Sequence, residues 1–351
     1  MDDERWQRLQ QLFAEARARG GEAREQLLLE VRSGDPTLAD ELRSLLAADA
    51  APGPMDAMAP RLAPVSHLLD EPAHTRVGPY RIVGELGRGG MGVVYLAERA
   101  DGHFEQRVAI KLIDSSDADD PLHRRFLDER QILAGLVHPN IARLLDGGIA
   151  DDGRPFLAME YVDGLPITAW CDRHRLDVRA RLRLFADVCA AVQHAHQNLV
   201  IHRDIKPTNI LVSSDGRVHL LDFGIAKLID QAPTAGREPA VRHDFRAMTP
   251  EYASPEQVRG DPITTASDIY SLGVLLHVLL SGLSPYRLTS GALAELAGAV
   301  CAQDPERMSV RAARGDIDVE SRSATRDRLA RELEGDLDGI VLMAMRKEPA
   351  L

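Results

Sequence analysis

At 351 residues and 44% hydrophobic content, the chain can bury a full core and has room for one large domain with a small appendage. A formal charge of -12 at pH 7 and a pI near 5.5 argue against nucleic acid or an anionic membrane surface as the main partner, and leave protein and nucleotide as the expected ones. Cys171, Cys189 and Cys301 are widely spaced with no CxxC or metal-ligand pattern, which reads as free thiols packed in a reducing compartment.

The N-terminus, Met1-Asp2-Asp3-Glu4, has neither a basic start nor an apolar signal core. The longest apolar run, Leu272 to Leu280, falls far short of the ~20 residues a bilayer needs, so a cytoplasmic chain without a membrane segment is expected. Residues 1–48 are rich in Leu, Ala, Arg and Glu and place Trp6, Leu9, Phe13 and Ala16, then Leu38, Leu42 and Leu45, on helical stripes. Asp35-Pro36 reads as the cap and first turn of the last helix. This small helical region reads either as a docking or dimerisation element, giving self-association, or as a solvated extension. Residues 49–77 lose that rhythm and gain Pro52, Pro54, Pro60, Pro64 and Pro72, a linker composition. From Gly78 onward come short strands, hairpin turns and then long helices.

Gly87, Gly89 and Gly92 have the GxGxxG spacing that also marks dinucleotide-binding folds. Here Val93-Val94-Tyr95 follow, so a strand continues where a dinucleotide-binding turn would open a helix. The segment predicts a strand-turn-strand flap whose glycines let backbone N–H groups approach phosphates, with a ligand-free hairpin as the alternative. After the Asp101-Gly102 turn, Val108-Ala109-Ile110-Lys111 is an apolar strand carrying one lysine, which calls for an anionic partner. An amphipathic helix is expected over Pro121 to Leu136. Asp128 and Glu129 lie on different faces of it, and Glu129 shares the side of Phe126, Leu133 and Leu136.

His194 and His196, two apart on a predicted helix, point apart and make a poor metal pair, so both read as structural. Next comes His202-Arg203-Asp204-Ile205-Lys206-Pro207-Thr208-Asn209, then an apolar strand pair around Ser214-Asp215-Gly216, then Asp222-Phe223-Gly224. This order gathers two carboxylates, an amide and a lysine around one small volume, the set that phosphoryl transfer from a magnesium nucleotide requires.

The block from His202 to Gly224 resembles the catalytic and metal-binding loops of eukaryotic-type protein kinases, in particular bacterial Hanks-type serine/threonine kinases. The resemblance implies an α+β, bilobal protein-kinase-like fold, with a β-rich N-lobe over 78–161 and a helical C-lobe over 162–351. It implies that Gly87, Gly89 and Gly92 cover the phosphates of ATP and that Lys111, paired with Glu129, binds the α- and β-phosphates. Met159 becomes the gatekeeper, and the backbones of Glu160 and Val162 reach adenine, flanked by Leu86, Val94, Ala109 and Leu211. Asp204 would accept or orient the substrate hydroxyl proton, and Lys206 would balance charge on the moving phosphoryl group. Asn209 and Asp222 would hold Mg2+, with Mn2+ as a substitute, while His202 packs and bonds backbone rather than carrying protons. The implied activity is ATP-dependent phosphorylation of serine and threonine on proteins, in signalling and with autophosphorylation. Lys206 and Thr249 carry the preference for these hydroxyls.

Met248 to Glu256 resembles the end of an activation segment, with Ser254 in place of the alanine of the usual Ala-Pro-Glu, a small and harmless swap. Ser267 to Gly273 resembles the start of the central C-lobe helix, with Asp268 bonding the backbone of the catalytic loop. Family members follow an Arg-Lys-x-Pro stretch with an arginine that pairs with the glutamate of Ala-Pro-Glu, whereas Arg346 to Leu351 stops just before it. A truncated C-lobe end, and Glu256 without a partner, are therefore expected, and a noncatalytic kinase-fold binding module stands as the alternative function. Arg203 would normally pair with an activation-loop phosphate. The 225–248 loop offers only Thr234 as a hydroxyl, so Asp244 or Glu238 is expected to take the phosphate's place.

Overall fold

The computed structural model describes residues 76–89, 92–102, 105–113, 133–223, 250–288 and 293–348, together with Val31. The chain divides into two compact units, Met1–His67 and Leu68–Leu351, and the elements below belong to the second. The helices expected within 1–48, residues 121–132 of the helix expected over Pro121 to Leu136 with Glu129 among them, Thr234, Glu238 and Asp244 in the 225–248 loop, and Thr249 lie outside the described residues. Arg76–Val77, at the end of the expected linker, already pairs into a sheet as strand β1.

Alternation builds the N-lobe. In β4 (Arg107–Ile113), Val108, Ile110 and Leu112 are completely buried and pack with Val77, Tyr80, Ala97 and Phe156, while Ala109 and Lys111 take the opposite face. Around it, β1, β2 (Tyr80–Gly89), β3 (Gly92–Arg99), β5 (Leu144–Ile149) and β6 (Pro155–Glu160) form an antiparallel sheet of order β1-β2-β3-β4-β6-β5. The glycine-rich segment is the hairpin of β2 and β3, closing at the Gly89–Gly92 pair. Gly92 holds φ at +131°, and a Cβ there would lie 1.9 Å from the Leu112 carbonyl oxygen, so the sheet itself demands glycine at this point.

The C-lobe starts with β7 (Gly164–Pro166), α1 (Ile167–Arg173) and α2 (Val178–Gln197), whose first turn is capped by the Asp177 carboxylate accepting from Ala180 N–H at 2.8 Å. On α2, Val188, Ala191, Val192 and Ala195 recur at helical spacing and pack against Leu275 and Leu279 of α4 (Thr265–Ser281). A second sheet joins β7, which precedes α1 in the chain, to β8 (Ile210–Ser213) and β9 (Val218–Leu220), which follow α2. After the short α3 (Pro255–Arg259), α4 is apolar on most of its circumference because it runs between two core clusters. Helices α5 (Leu293–Ala302), α6 (Met308–Arg314), α7 (Arg326–Leu333) and α8 (Asp336–Ala344) complete the second cluster. Gly273 lets α8 close on α4, since a Cβ would meet Ala344 and Met345 at 2.9 Å. The run Leu272 to Leu280 is thus a buried core helix, and among the described residues no helix is long and apolar enough to cross a membrane.

Candidate active site

The segment from His202 to Asn209 is held from below by one carboxylate. Asp268, on the first turn of α4 and fully buried, accepts from the backbone N–H of His202 at 2.8 Å and of Arg203 at 2.9 Å, and its Oδ2 also meets His196 Nε2 at 2.7 Å. This anchor holds Arg203 at φ 65°, a left-handed conformation that residues with a Cβ rarely adopt. Asp222 shares that conformation, at φ 56°. His202 is buried beneath the loop, its ring 4.7 Å from that of Phe223. Its Nε2 donates to Leu221 O at 2.9 Å and its Nδ1 accepts from Asp204 N–H at 3.3 Å, a pattern that suits the neutral ring. Burial pushes its pKa below the ordinary imidazole value, so it serves as packing and hydrogen-bonding support.

On this base the expected residues come together. Lys206 Nζ lies 2.9 Å from Asp204 Oδ2, and the Asn209 side-chain NH2 donates to both Asp204 O at 2.8 Å and Asp204 Oδ2 at 2.9 Å. Asn209 O accepts from Leu221 N–H at 2.8 Å, which fixes the loop beside the Asp222 strand end. Across the lobes, Lys111 Nζ contacts Asp222 Oδ2 at 2.5 Å. Lys111 is only 9% exposed, so its charge is drawn toward that carboxylate rather than to water. Register places Val94 opposite Lys111, Ala109 opposite Met159 and Gly87 opposite Val94, so these residues share one face of the N-lobe sheet. Leu86 is exposed on β2, Leu211 lies on β8 opposite Pro166, and Glu160 N–H is taken by Arg143 O at 2.9 Å, with half-buried Val162 following. Behind Met159, a cavity of about 20 Å³ is lined by Leu133, Leu136, Leu157 and Phe223.

Two expectations gain detail. Ser254 does more than replace an alanine harmlessly: fully buried, it caps α3, and its side chain and Gln257 form a reciprocal capping box. Glu256, expected to lack the arginine that pairs with it in the family, has no cation partner among the described residues and accepts from Ser267 Oγ at 2.5 Å. Three contributors were missed from the sequence. His196 was read as structural without its bond to Asp268. Gln257, whose Nε2 donates to Arg203 O at 2.8 Å, was readable only as the fourth residue of a Ser-x-x-Gln cap. Arg181, 1% exposed, donates to Leu176 O, Leu279 O and Ser321 O as well as to Asp172, tying α2 to α1, α4 and the segment before α7.

With this geometry in view, comparison with known proteins gives a consistent result. Residues 80–318 match the protein kinase domain family. Serine/threonine-protein kinase Pkn1 of Myxococcus xanthus is 39% identical over 65% of this chain and 32% of its own length. PknB of Mycobacterium tuberculosis is 34% identical over 81% of this chain and 41% of its own, and PrkC of Bacillus subtilis is 39% identical over 60% and 31%. The chain therefore spans about a third to two-fifths of the length of these relatives. The crystal structure of a cysteine-to-alanine mutant of the M. tuberculosis PknI kinase domain aligns with a TM-score of 0.53 at 29% identity, covering 78% of this chain and 90% of that one. An α+β two-lobed core, the gathered His202–Asp222 block and a family match over most of the chain lead to one statement: the chain belongs to the protein kinase domain family, in its bacterial Hanks-type serine/threonine branch.

Proposed function

We propose that this chain is a serine/threonine protein kinase that transfers the γ-phosphate of ATP to protein hydroxyls, in signalling and with itself among its substrates. The observation that carries the reading is the joined network in which Lys206 and Asn209 hold the Asp204 carboxylate while Asp222 lies against Lys111. The family uses ATP and a divalent metal, and the donor set fits one. Both hydrogens of the Asn209 amide are spent on Asp204, so what that side chain can offer a ligand is its carbonyl oxygen. Together with the Asp222 carboxylate, this is a pair of hard oxygens suited to Mg2+, and to Mn2+ in its place. When bound, the metal nucleotide supplies the phosphoryl group and neutralises its developing charge.

The chain's own residues do the rest. Asp204 takes up or orients the proton of the incoming hydroxyl, and Lys206, close beside it, offsets negative charge on the group in transit. Lys111 grips the α- and β-phosphates, with Glu129 as its partner. Gly87 supports a phosphate cover, because among the described residues nothing beyond its chain neighbours lies within 4 Å of where its Cβ would be, and so a ligand can approach the backbone there. Gly89 belongs to the same cover, while Gly92 serves the sheet. Leu86, Val94, Ala109 and Leu211 enclose adenine, Met159 stands behind it, and the backbones of Glu160 and Val162 bond its edge.

The test is transfer of labelled phosphate from ATP to the chain itself and to a generic protein substrate, with the sites mapped by mass spectrometry. Asp204→Asn should lower turnover on the order of 10²-fold or more while nucleotide still binds. Transfer to tyrosine alone, or none by the parent protein, would overturn the reading. No observation among the described residues favours the noncatalytic module.

A further inference from the structure

The peptide bond between Arg203 and Asp204 sets the direction of the side chain on which the proposed reaction depends, and both of its polar groups are occupied. Its N–H reaches His202 Nδ1 at 3.3 Å, and its carbonyl accepts from Gln257 Nε2 at 2.8 Å. On the other side of Arg203, its own N–H is fixed by Asp268 at 2.9 Å. A turn of this peptide plane changes ψ of Arg203 and φ of Asp204, and would swing the Asp204 side chain away from Lys206 and Asn209. The bond from Gln257 opposes that turn.

Gln257 is suited to this by chemistry as well as by place. It is 7% exposed, its Oε1 accepts from Ser254 N–H at 2.9 Å, and its Nε2 faces the Arg203 carbonyl. An amide accepts at one end and donates at the other, which glutamate cannot do at neutral pH and leucine cannot do at all. We propose that Gln257 is a positioning residue for phosphoryl transfer, coupling α3, whose first turn carries Pro255 and Glu256 at the end of the activation segment, to the peptide that aims Asp204. This inference rests on the kinase reading above. A displacement of α3 is then transmitted to Asp204 through the hydrogen bond from Gln257 to Arg203 O.

Steady-state kinetics and thermal unfolding of the parent, Gln257→Glu and Ser254→Ala test it. Gln257→Glu keeps the acceptor for Ser254 N–H but sets an oxygen against the Arg203 carbonyl. Its kcat should fall about tenfold or more, with KM for ATP within about twofold. Ser254→Ala removes the cap hydroxyl alone, and should lower the unfolding midpoint while kcat stays within about twofold of the parent. If the carboxylate unfolds the domain, Gln257→Leu is used instead, with the same loss in kcat expected. An active parent with an indifferent Gln257→Glu overturns this assignment alone, as does a kcat loss that follows the unfolding midpoint equally in both variants. A parent that transfers no phosphate overturns it together with the kinase reading.

Discussion

Replacing Asp268 by alanine is the sharpest test of how the site is held. The side chain is fully buried and receives three donors, two of them backbone N–H groups of the loop that presents Asp204. Its loss leaves both N–H groups without an acceptor, at about 1–3 kcal/mol each, while His196 is exposed enough to recruit water. Removal of a buried carboxylate returns part of this through its avoided desolvation, so a net cost of about 3 kcal/mol is expected. Domains of this size shift by roughly 2–4 °C per kcal/mol, so the midpoint should drop by about 6–12 °C. Asp268→Asn keeps one oxygen, which can serve His202 N–H and His196, but turns an NH2 toward Arg203 N–H. It should cost about 2 kcal/mol, less than alanine yet clearly resolved. Thermal unfolding read beside phosphate transfer separates the effects, because Arg203, freed from a left-handed conformation, should also lose the geometry at Asp204. An Asp268→Ala protein that melts within about 2 °C of the parent and keeps most of its turnover would refute the reasoning.

Two further outcomes follow from single features. Gly92→Ala should destabilise the N-lobe by more than about 3 kcal/mol, since its Cβ would collide with the Leu112 carbonyl. Gly87→Ala, with open space around it, should cost under about 1 kcal/mol and instead raise KM for ATP; equal losses of stability in urea titrations would contradict the contrast. His202 and His277, both pushed down by burial, contribute a pH dependence, and His138 and His219 are pushed the same way by the same cause. Below the unfolded imidazole pKa of about 6.5 the unfolded chain binds more protons than the folded one. Stability should then decline as pH falls, by up to about 1.4 kcal/mol per pH unit for each histidine, and a flat profile from about pH 7 to 5.5 would exclude this.

How much of this could be read from the sequence depends on the range over which each interaction acts. The Lys111 strand was legible because a period of two separates Val108, Ile110 and Leu112 from Ala109 and Lys111 without reference to any distant residue. The central helix was legible through the resemblance of Ser267 to Gly273, while its apolar run told only that it is too short for a bilayer. Arg181 was not, because an arginine on an amphipathic helix reads as solvated, and its acceptors Leu279 O and Ser321 O lie 98 and 140 residues away. His196 failed in the same way, since its partner Asp268 is 72 residues distant. The Ser254–Gln257 box is local and legible in the Ser-x-x-Gln spacing alone, whereas the bond from Gln257 to Arg203 O spans 54 residues and is not.

The site residues themselves owe their placement to an alternation that is visible only once the buried positions are known. His202, Ile205, Pro207, Ile210 and Val212 are buried, while Asp204, Lys206, Asn209 and Leu211, set between them, are partly exposed. Leu220 and Phe223 bracket Asp222 in the same manner. Each apolar anchor removes surface from water at roughly 25 cal/mol per Å², and in doing so fixes the polar neighbour on the opposite side of the backbone. Asp204 and Asp222 therefore do not have to find one another through their own attraction to Lys206 and Lys111, which would be weak in water. They are presented by the core, and the ion pairs form between groups whose positions the apolar anchors have already restricted.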